Sequence, residues 1–256
     1  MAVLPEAGLV LVDKPEGWSS HDVVAFLRPI LGTRRVGHGG TLDPLASGLL
    51  VVMYGHATKL SDLVHATRKT YVADVVLGSE TTTDDREGAV SARAEVPALS
   101  DESVRGTLAS FLGRQTQVPP AFSALHVDGR RAYAVSRRGE IPALAPRPVE
   151  FYELRLLEMD AARLRVRVEC SAGTYVRALA RDLGRALGTR AHLSGLRRLT
   201  IGPFSVEGAL TPERIRTIDR PELAERVISE DAARGLLAGE RAHQGASASP
   251  TPNEGK

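Results

Sequence analysis

The sequence predicts a domain of mixed strands and helices, either α/β or α+β, and three stretches carry that reading. Leu164-Arg165-Val166-Arg167-Val168-Glu169-Cys170 alternates apolar with charged residues, the period of a half-buried strand with one wet face. Val176, Leu179, Leu183 and Leu187 recur soon after at helical spacing, and Gly188 supplies the stop. Gly8 to Val12 is a short apolar run ending in Asp13-Lys14-Pro15, a buried strand closed by a turn. Periodicity alone does not choose between the two fold classes.

The remaining elements follow in order. Ser19 or Ser20 can cap a helix whose apolar face is Val23, Val24 and Leu27, with Pro29 expected to end it. A glycine-rich loop, Val36 to Pro44, precedes a second buried strand at Leu49 to Met53. Tyr71 to Leu77 is strand-like, and the acidic, threonine-rich stretch Ser79 to Glu87 reads as a surface loop. Asp101 to Leu112 has helical spacing at Val104, Leu108, Phe111 and Leu112. Leu125 to Val149 carries basic residues, glycines and prolines and is expected to form a mobile loop or hairpin. Gln244 to Lys256 has almost nothing to bury and is expected to be disordered.

Composition narrows the function classes. With 256 residues, 43% hydrophobic and 25% charged, the chain can bury a sizeable core. No stretch approaches the roughly 20 continuous apolar residues of a membrane span. Met1 to Leu11 lacks the basic start and cleavage site of a signal peptide, so a soluble cytoplasmic protein is expected. One cysteine, Cys170, excludes an internal disulfide and fits a reducing compartment. It falls on the apolar side of its strand, which argues against a Cys/His nucleophile pair. The seven histidines show no zinc-site spacing with a nearby ligand cluster, so no metal is expected.

Net charge is only +2, but it is unevenly placed. Asp160 to Thr200 holds nine arginines against three acids, whereas Ile201 to Glu240 holds eight acids against five arginines. Arg130, Arg131, Arg137 and Arg138 form a second basic cluster. Arginine makes up 29 of the 33 basic residues, and its planar fork suits phosphate. Either an arginine bias on solvated faces or a nucleic-acid surface accounts for this.

Three residues are candidates for chemistry. Asp43 precedes Pro44, so it sits on extended backbone, and the small residues around it would let a bulky ligand approach. A lone Asp-Pro is also an ordinary turn. Arg177 lies in the first turn of a helix, where the macrodipole disfavours a cation. It calls for an anion, a carboxylate or a phosphate, unless it leans into solvent. Tyr71 follows Arg68, Lys69 and Thr70, and either stacks on a base or forms a core edge.

Four stretches, in order, resemble the TruB family of pseudouridine synthases. They are Val12 to Ser20 (VDKPEGWSS), Gly37 to Gly48 (GHGGTLDPLASG), Lys69-Thr70-Tyr71 through Gly78, and Cys170 to Arg177 (CSAGTYVR) through Gly184 with Leu196 to Leu199 beyond. Gln117 to Ala124 (QVPPAFSA) adds a fifth, and the likeness runs to about Leu210. The resemblance implies an α+β fold with a mixed, largely antiparallel sheet flanked by helices and loops. It implies an isomerase acting on uridine 55 in the T loop of tRNA, without cofactor. Asp43 then matches the nucleophile, Arg177 its partner arginine and Tyr71 the tyrosine that stacks on the target base. His38 matches a histidine that helps hold the flipped-out arrangement, and Leu196 an apolar wall. Lys14, Lys69, Arg130 and Arg131 are expected to contact substrate.

The same resemblance implies a catalytic domain over 1–226, with 125–149 an insertion that closes over RNA. It implies an incomplete PUA-like segment and disordered tail over 227–256. Beyond the T arm of tRNA no obligate partner is expected, and the protein is expected to be a monomer. Gly39 stands where relatives often have threonine or alanine, a change from which little effect is expected. An RNA-binding protein without isomerase activity and an N-glycoside hydrolase are the alternatives. The hydrolase lacks an evident second carboxylate near Asp43.

Overall fold

The computed structural model describes residues 4–123, 126–127, 130–131 and 144–246. In chain order the elements begin with β1 (Gly8–Lys14), α1 (Ser20–Leu31), β2 (Val36–His38), β3 (Ala46–Tyr54) and α2 (Ser61–His65). There follow β4 (Lys69–Leu77), β5 (Ser79–Thr81), β6 (Val90–Arg93), α3 (Asp101–Ser110), β7 (Gly113–Gln117), β8 (His126–Val127) and β9 (Arg130–Arg131). The last are β10 (Arg147–Met159), β11 (Arg163–Cys170), α4 (Val176–Ala186), β12 (Ala191–Ile201), β13 (Phe204–Ser205), α5 (Pro212–Thr217), α6 (Arg220–Glu225) and α7 (Glu230–Ala246). The fold is mixed α+β, and the ladders β1-β3, β4-β11, β10-β11 and β7-β10 are antiparallel. The chain divides into two compact units, one built from the residues up to Arg68 with those from Leu199 onward, the other from Lys69–Arg198.

In the first unit β1 and β3 run antiparallel, from Gly8 opposite Tyr54 to Lys14 opposite Gly48. β3 is almost wholly buried because both of its faces are covered. Leu50, Val52 and Tyr54 point to a cluster with Val10, Val12, Val23, Leu27 and Ile215. Leu49, Val51 and Met53 point the other way, to Leu9, Leu60, Val64, Phe204, Ala233 and Leu237. That period of two turns one apolar run into the shared wall of two cores.

A capping box between Ser19 and Asp22 starts α1. Pro29 does not end it, contrary to expectation. The helix continues to Leu31 and closes at Gly32, whose φ of 66° is left-handed. Pro29 stands in the last turn, where the missing N–H costs a single bond and buried Leu27 and Leu31 hold the turn in place.

The C-terminal stretch joins this unit. Leu9 and Ile228 exchange backbone hydrogen bonds at 2.8 and 2.9 Å, and Ala233 and Leu237 of α7 are buried in the second cluster. The helix runs to Ala246, so Gln244, Gly245 and Ala246 are helical where the sequence suggested disorder. Residues 247–256 lie outside the described residues.

The second unit holds the antiparallel order β4-β11-β10-β7. β11 keeps the predicted alternation, with Leu164, Val166, Val168 and Cys170 buried and Arg163 and Arg165 exposed. Burial pushes the Cys170 thiol up to about 12, so it stays protonated at neutral pH and is no nucleophile.

Ser79 to Glu87 is not a surface loop. Ser79, Glu80, Thr81, Asp84 and Asp85 are all buried, and three arginines of α4 account for it. Arg177 lies 3.5 Å from the Asp85 carboxylate, Arg181 2.6 Å from that of Asp84, and Arg185 2.7 Å from that of Glu80. Composition marked these acids as solvated, whereas pairing brought them inside.

Lys69, opposite Cys170 at the start of β4, is also buried. Burial, then the nearby Arg198 charge, lowers its pKa from 10.5 to about 8. Between these values the unfolded chain binds the extra proton, so stability rises with pH across this window and the burial cost is fully present below it. Urea unfolding of the wild type and Lys69→Met, compared from pH 7 to 10.5, is expected to show the wild type gaining on the variant by up to roughly 3 kcal/mol. A difference that stays constant with pH would show that Lys69 is not depressed.

Candidate active site

Asp43 lies on the loop between β2 and β3, and that loop is held by side chains rather than by a ladder. Ser20, the first residue of α1, is buried and its hydroxyl serves Leu42 twice. It accepts from the Leu42 amide at 2.8 Å and donates to the Leu42 carbonyl at 3.0 Å. On the far side of Asp43, the Gly17 amide donates to the Pro44 carbonyl at 2.8 Å. The Asp43 carbonyl itself accepts from Ala46 at 3.1 Å. Leu42 and Leu45 are buried at 3% and 2% exposure, and Asp43 between them remains half-buried. The loop is thus anchored by two apolar side chains while the carboxylate between them keeps access to solvent.

The approach to Asp43 is equally constrained. Gly39 donates to the Val51 carbonyl at 2.8 Å, continuing from His38 at the end of β2. Gly40 has φ of 97°, a left-handed conformation that favours glycine, and its amide donates to Nε2 of His65 at 3.0 Å. A side chain at Gly39 would overlap Val64, so its exchange for a larger residue is a packing change and not the small one expected. Lys14 is fully buried and its ammonium donates to the carbonyls of Trp18, at 2.6 Å, and Pro15, at 2.9 Å. It holds the turn into α1.

In the second unit, Tyr71 sits on β4 opposite Val168, with 8% exposure. Arg177 is the second residue of α4 and is 6% exposed. Its Nη1 donates to the Thr83 carbonyl at 3.0 Å, and its Nη2 to the Phe122 carbonyl at 3.0 Å. Asp85 lies beside Nη1 at 3.5 Å, so a carboxylate of the chain itself is one anion that meets this helix-start arginine. Asp85 is in turn fixed by the Thr83 hydroxyl at 2.5 Å and the Glu87 amide at 3.0 Å. Leu196, on β12, is half-buried.

The start of α4 is set by Gln117, whose side-chain oxygen accepts from the Tyr175 amide at 2.9 Å while its amide nitrogen donates to the Tyr175 carbonyl at 3.1 Å. Arg181 also donates to the Val118 carbonyl at 2.9 Å. Gln117 to Ser123, one of the family-like stretches, is therefore pinned to α4 at three places.

Asp43, His38 and Lys14 thus belong to one unit and Tyr71, Arg177, Lys69 and Leu196 to the other. Arg130 and Arg131 form β9, paired with His126 and Val127. Most of the expected insertion, residues 128–129 and 132–143, lies outside the described residues. Sequence reasoning missed Ser20 as a tether, His65, Gln117 and the pair Asp84 and Asp85. The one available signal was Arg177 itself, an arginine in need of an anion. Among the described residues no group of three or more His, Cys, Asp or Glu could hold a metal ion, and no helix is long and apolar enough to cross a membrane.

Asp84 tests how much the buried pairs matter. It has φ of 60°, which aspartate tolerates better than most residues, and burial raises its pKa against the opposing pull of Arg181 and Arg177. Arg181→Met strands that carboxylate and is expected to cost about 3 kcal/mol in chemical unfolding. Adding Asp84→Asn should cost less than the two single changes summed, and strict additivity would show that the pair is not coupled.

Comparison with known proteins places this geometry in a family. Residues 28–176 match the TruB family pseudouridylate synthase N-terminal domain, and residues 177–230 the tRNA pseudouridylate synthase B C-terminal domain. A tRNA pseudouridine synthase B of Arthrobacter sp. (strain FB24) is 44% identical over 94% of this chain and 84% of its own length. That of Thermobifida fusca (strain YX) is also 44% identical, over 97% of this chain and 88% of its own. Among solved structures, one of a Cbf5-Nop10-Gar1 complex aligns with a TM-score of 0.69 at 28% identity, covering 89% of this chain and 61% of that one. These matches cover most of the chain, and the chain belongs to the TruB family of pseudouridylate synthases, which are isomerases.

Proposed function

We propose that this protein converts uridine 55 in the T loop of tRNA to pseudouridine, with Asp43 as the attacking carboxylate. The observation that carries this reading is the Asp43 loop. Its neighbours Leu42 and Pro44 are both hydrogen-bonded to the segment before and into α1, while Asp43 stays half-buried. A nucleophile held on fixed backbone loses little freedom when it meets its substrate, which is where positioning contributes to rate. The tRNA substrate is inferred from the names of the relatives.

The chemistry follows from what must be broken and made. A uridine stacked in the T loop has to be extruded, at a cost of a few kcal/mol that stacking on an aromatic side chain offsets. Tyr71 is assigned that role on its match to the family's tyrosine. Asp43 reacts in its ionised form. The C1′–N1 glycosidic bond breaks, the uracil turns while still held, and C1′ bonds to C5. The proton on C5 then leaves to a base, with Tyr71 or a water as acceptor, and the freed N1 takes up a proton, so product and substrate have the same composition. Arg177 matches the family's arginine that pairs with the nucleophile, and this role too rests on residue identity. Its fork is presented rigidly, because Thr83, Phe122 and Asp85 fix both terminal nitrogens. The reaction is an isomerisation, with no net redox change and no hydrolysis. Of the nine arginines from Asp160 to Thr200, Arg165, Arg167, Arg177, Arg181, Arg185 and Arg190 pair with acids of the chain, so the charge that RNA phosphates require is assigned to the cluster Arg130, Arg131, Arg137 and Arg138.

A T-arm stem-loop tritiated at C5 of the target uridine tests this. The wild type should release tritium and leave the strand intact. Asp43→Asn should lower release by at least about three orders of magnitude while still binding the stem-loop. Normal turnover by that variant would refute the nucleophile, and free uracil would mark a hydrolase instead. Binding should also weaken steeply between low and moderate salt, as counterions released by the arginine contacts are paid back. Affinity that ignores salt would count against the basic stretches as the RNA-binding surface.

A further inference from the structure

We infer that His65 is a positioning residue for the Asp43 loop, holding it through a hydrogen bond that needs an acceptor at that place. The inference rests on the reading of Asp43 as the nucleophile. It concerns a residue outside the stretches that carry the family resemblance.

His65 is the last residue of α2, and its Nε2 lies 3.0 Å from the backbone nitrogen of Gly40. A backbone N–H can only donate, so Nε2 accepts this bond through its lone pair. The carbonyl oxygen of His38 lies 3.3 Å from the same nitrogen. With Nε2 acting as acceptor, that oxygen is a neighbour and not a partner. One ring atom thus faces both ends of the segment His38 to Gly40, three residues before the carboxylate.

A second contact places the same helix against the same segment. Gly39 has no side chain, and a Cβ there would overlap Cγ1 of Val64 and lie 2.9 Å from its Cβ. Val64 is fully buried and β-branched, so it cannot swing aside. The last turn of α2 therefore meets the loop twice: Val64 fills the space that glycine leaves at position 39, and His65 takes the amide at position 40. Gly40, at φ of 97°, is a backbone joint that could swing if its amide were released. Fixing that joint fixes the direction in which the chain enters Leu42 and Asp43.

The test compares three variants in the tritium-release assay on the T-arm stem-loop. His65→Leu keeps the bulk and removes the acceptor, and is expected to lower kcat by about 10-fold to 100-fold with KM changed by less than about twofold. His65→Gln places an oxygen where Nε2 was and should recover kcat to within about threefold of wild type. Hydrogen exchange read at the Gly40 amide should rise by at least about tenfold in His65→Leu and stay near wild type in His65→Gln, whether or not either variant turns over. Wild-type kcat in His65→Leu, a glutamine variant as slow as leucine, or unchanged exchange at Gly40 would each overturn the inference. Asp43→Asn is run alongside. If it remains active the nucleophile reading fails, whereas an inactive Asp43→Asn beside a fully active His65→Leu overturns the role of His65 alone.

Discussion

The hydroxyl of Ser20 satisfies both polar groups of Leu42, and the placement of Asp43 depends on that constraint. The loop from Gly39 to Leu45 leaves β2 and enters β3 without a ladder of its own, yet Leu42 and Leu45 must be buried to anchor it. An apolar side chain carries its amide and carbonyl into the interior with it, and leaving either unpaired would cost about 1–3 kcal/mol. Ser20 resolves this at distances of 2.8 and 3.0 Å, from a helix start that Ser19 and Asp22 have already capped. The cap, the hydroxyl and the loop form one chain of cause. Asp22 fixes where α1 begins, α1 fixes Ser20, and Ser20 fixes the residue before the carboxylate.

The second unit solves a different problem by the same logic. α4 begins with buried arginines where the helix dipole opposes them, and an unpaired buried guanidinium would be prohibitive. The chain folds its own acids, Asp84 and Asp85, under the helix, and it brings the carbonyls of Val118 and Phe122 to an Nη2 of Arg181 and of Arg177. Gln117 then locks the helix start to the segment that provides those carbonyls. Charge, backbone and cap are mutually dependent here. Removing one member exposes the desolvation cost of the others.

Patterns of local period were legible in the sequence, and partnerships across the chain were not. The alternation of β11 and the stripe of α4 were readable because they repeat within one element, and each faces a single environment. Asp43 and Arg177 were readable as unusual residues, one by its proline and the other by its place against a dipole. Ser79 to Glu87 was misread because acidic composition reports solvation only when no cation comes to meet it. The arginines that do so lie about a hundred positions further along, at 177, 181 and 185. Pro29 was misread for a related reason. A proline signals a break by the bond it removes, but near the end of a helix there is little left to break, and the burial of Leu31 is a tertiary fact. His65 gave no signal, since an acceptor for one loop amide has no pattern in the sequence around it.

The identity of residue 177 illustrates why such partnerships matter for chemistry. Its guanidinium meets two separate segments: Nη1 donates to the Thr83 carbonyl with the Asp85 carboxylate 3.5 Å away, and Nη2 donates to the Phe122 carbonyl. A planar fork with nitrogens at fixed separation can serve both segments at once, whereas a lysine ammonium is a single point that would reach one of them. The arginine is thereby held in one orientation before any substrate arrives, and the two segments are held to each other. In the role proposed for Arg177, a charge fixed in this way costs no reorganisation at the moment of reaction, while a mobile one would have to be ordered each time. The buried acids that looked like a solvated loop are what make the arginine rigid, so rigidity here comes from electrostatics within the chain.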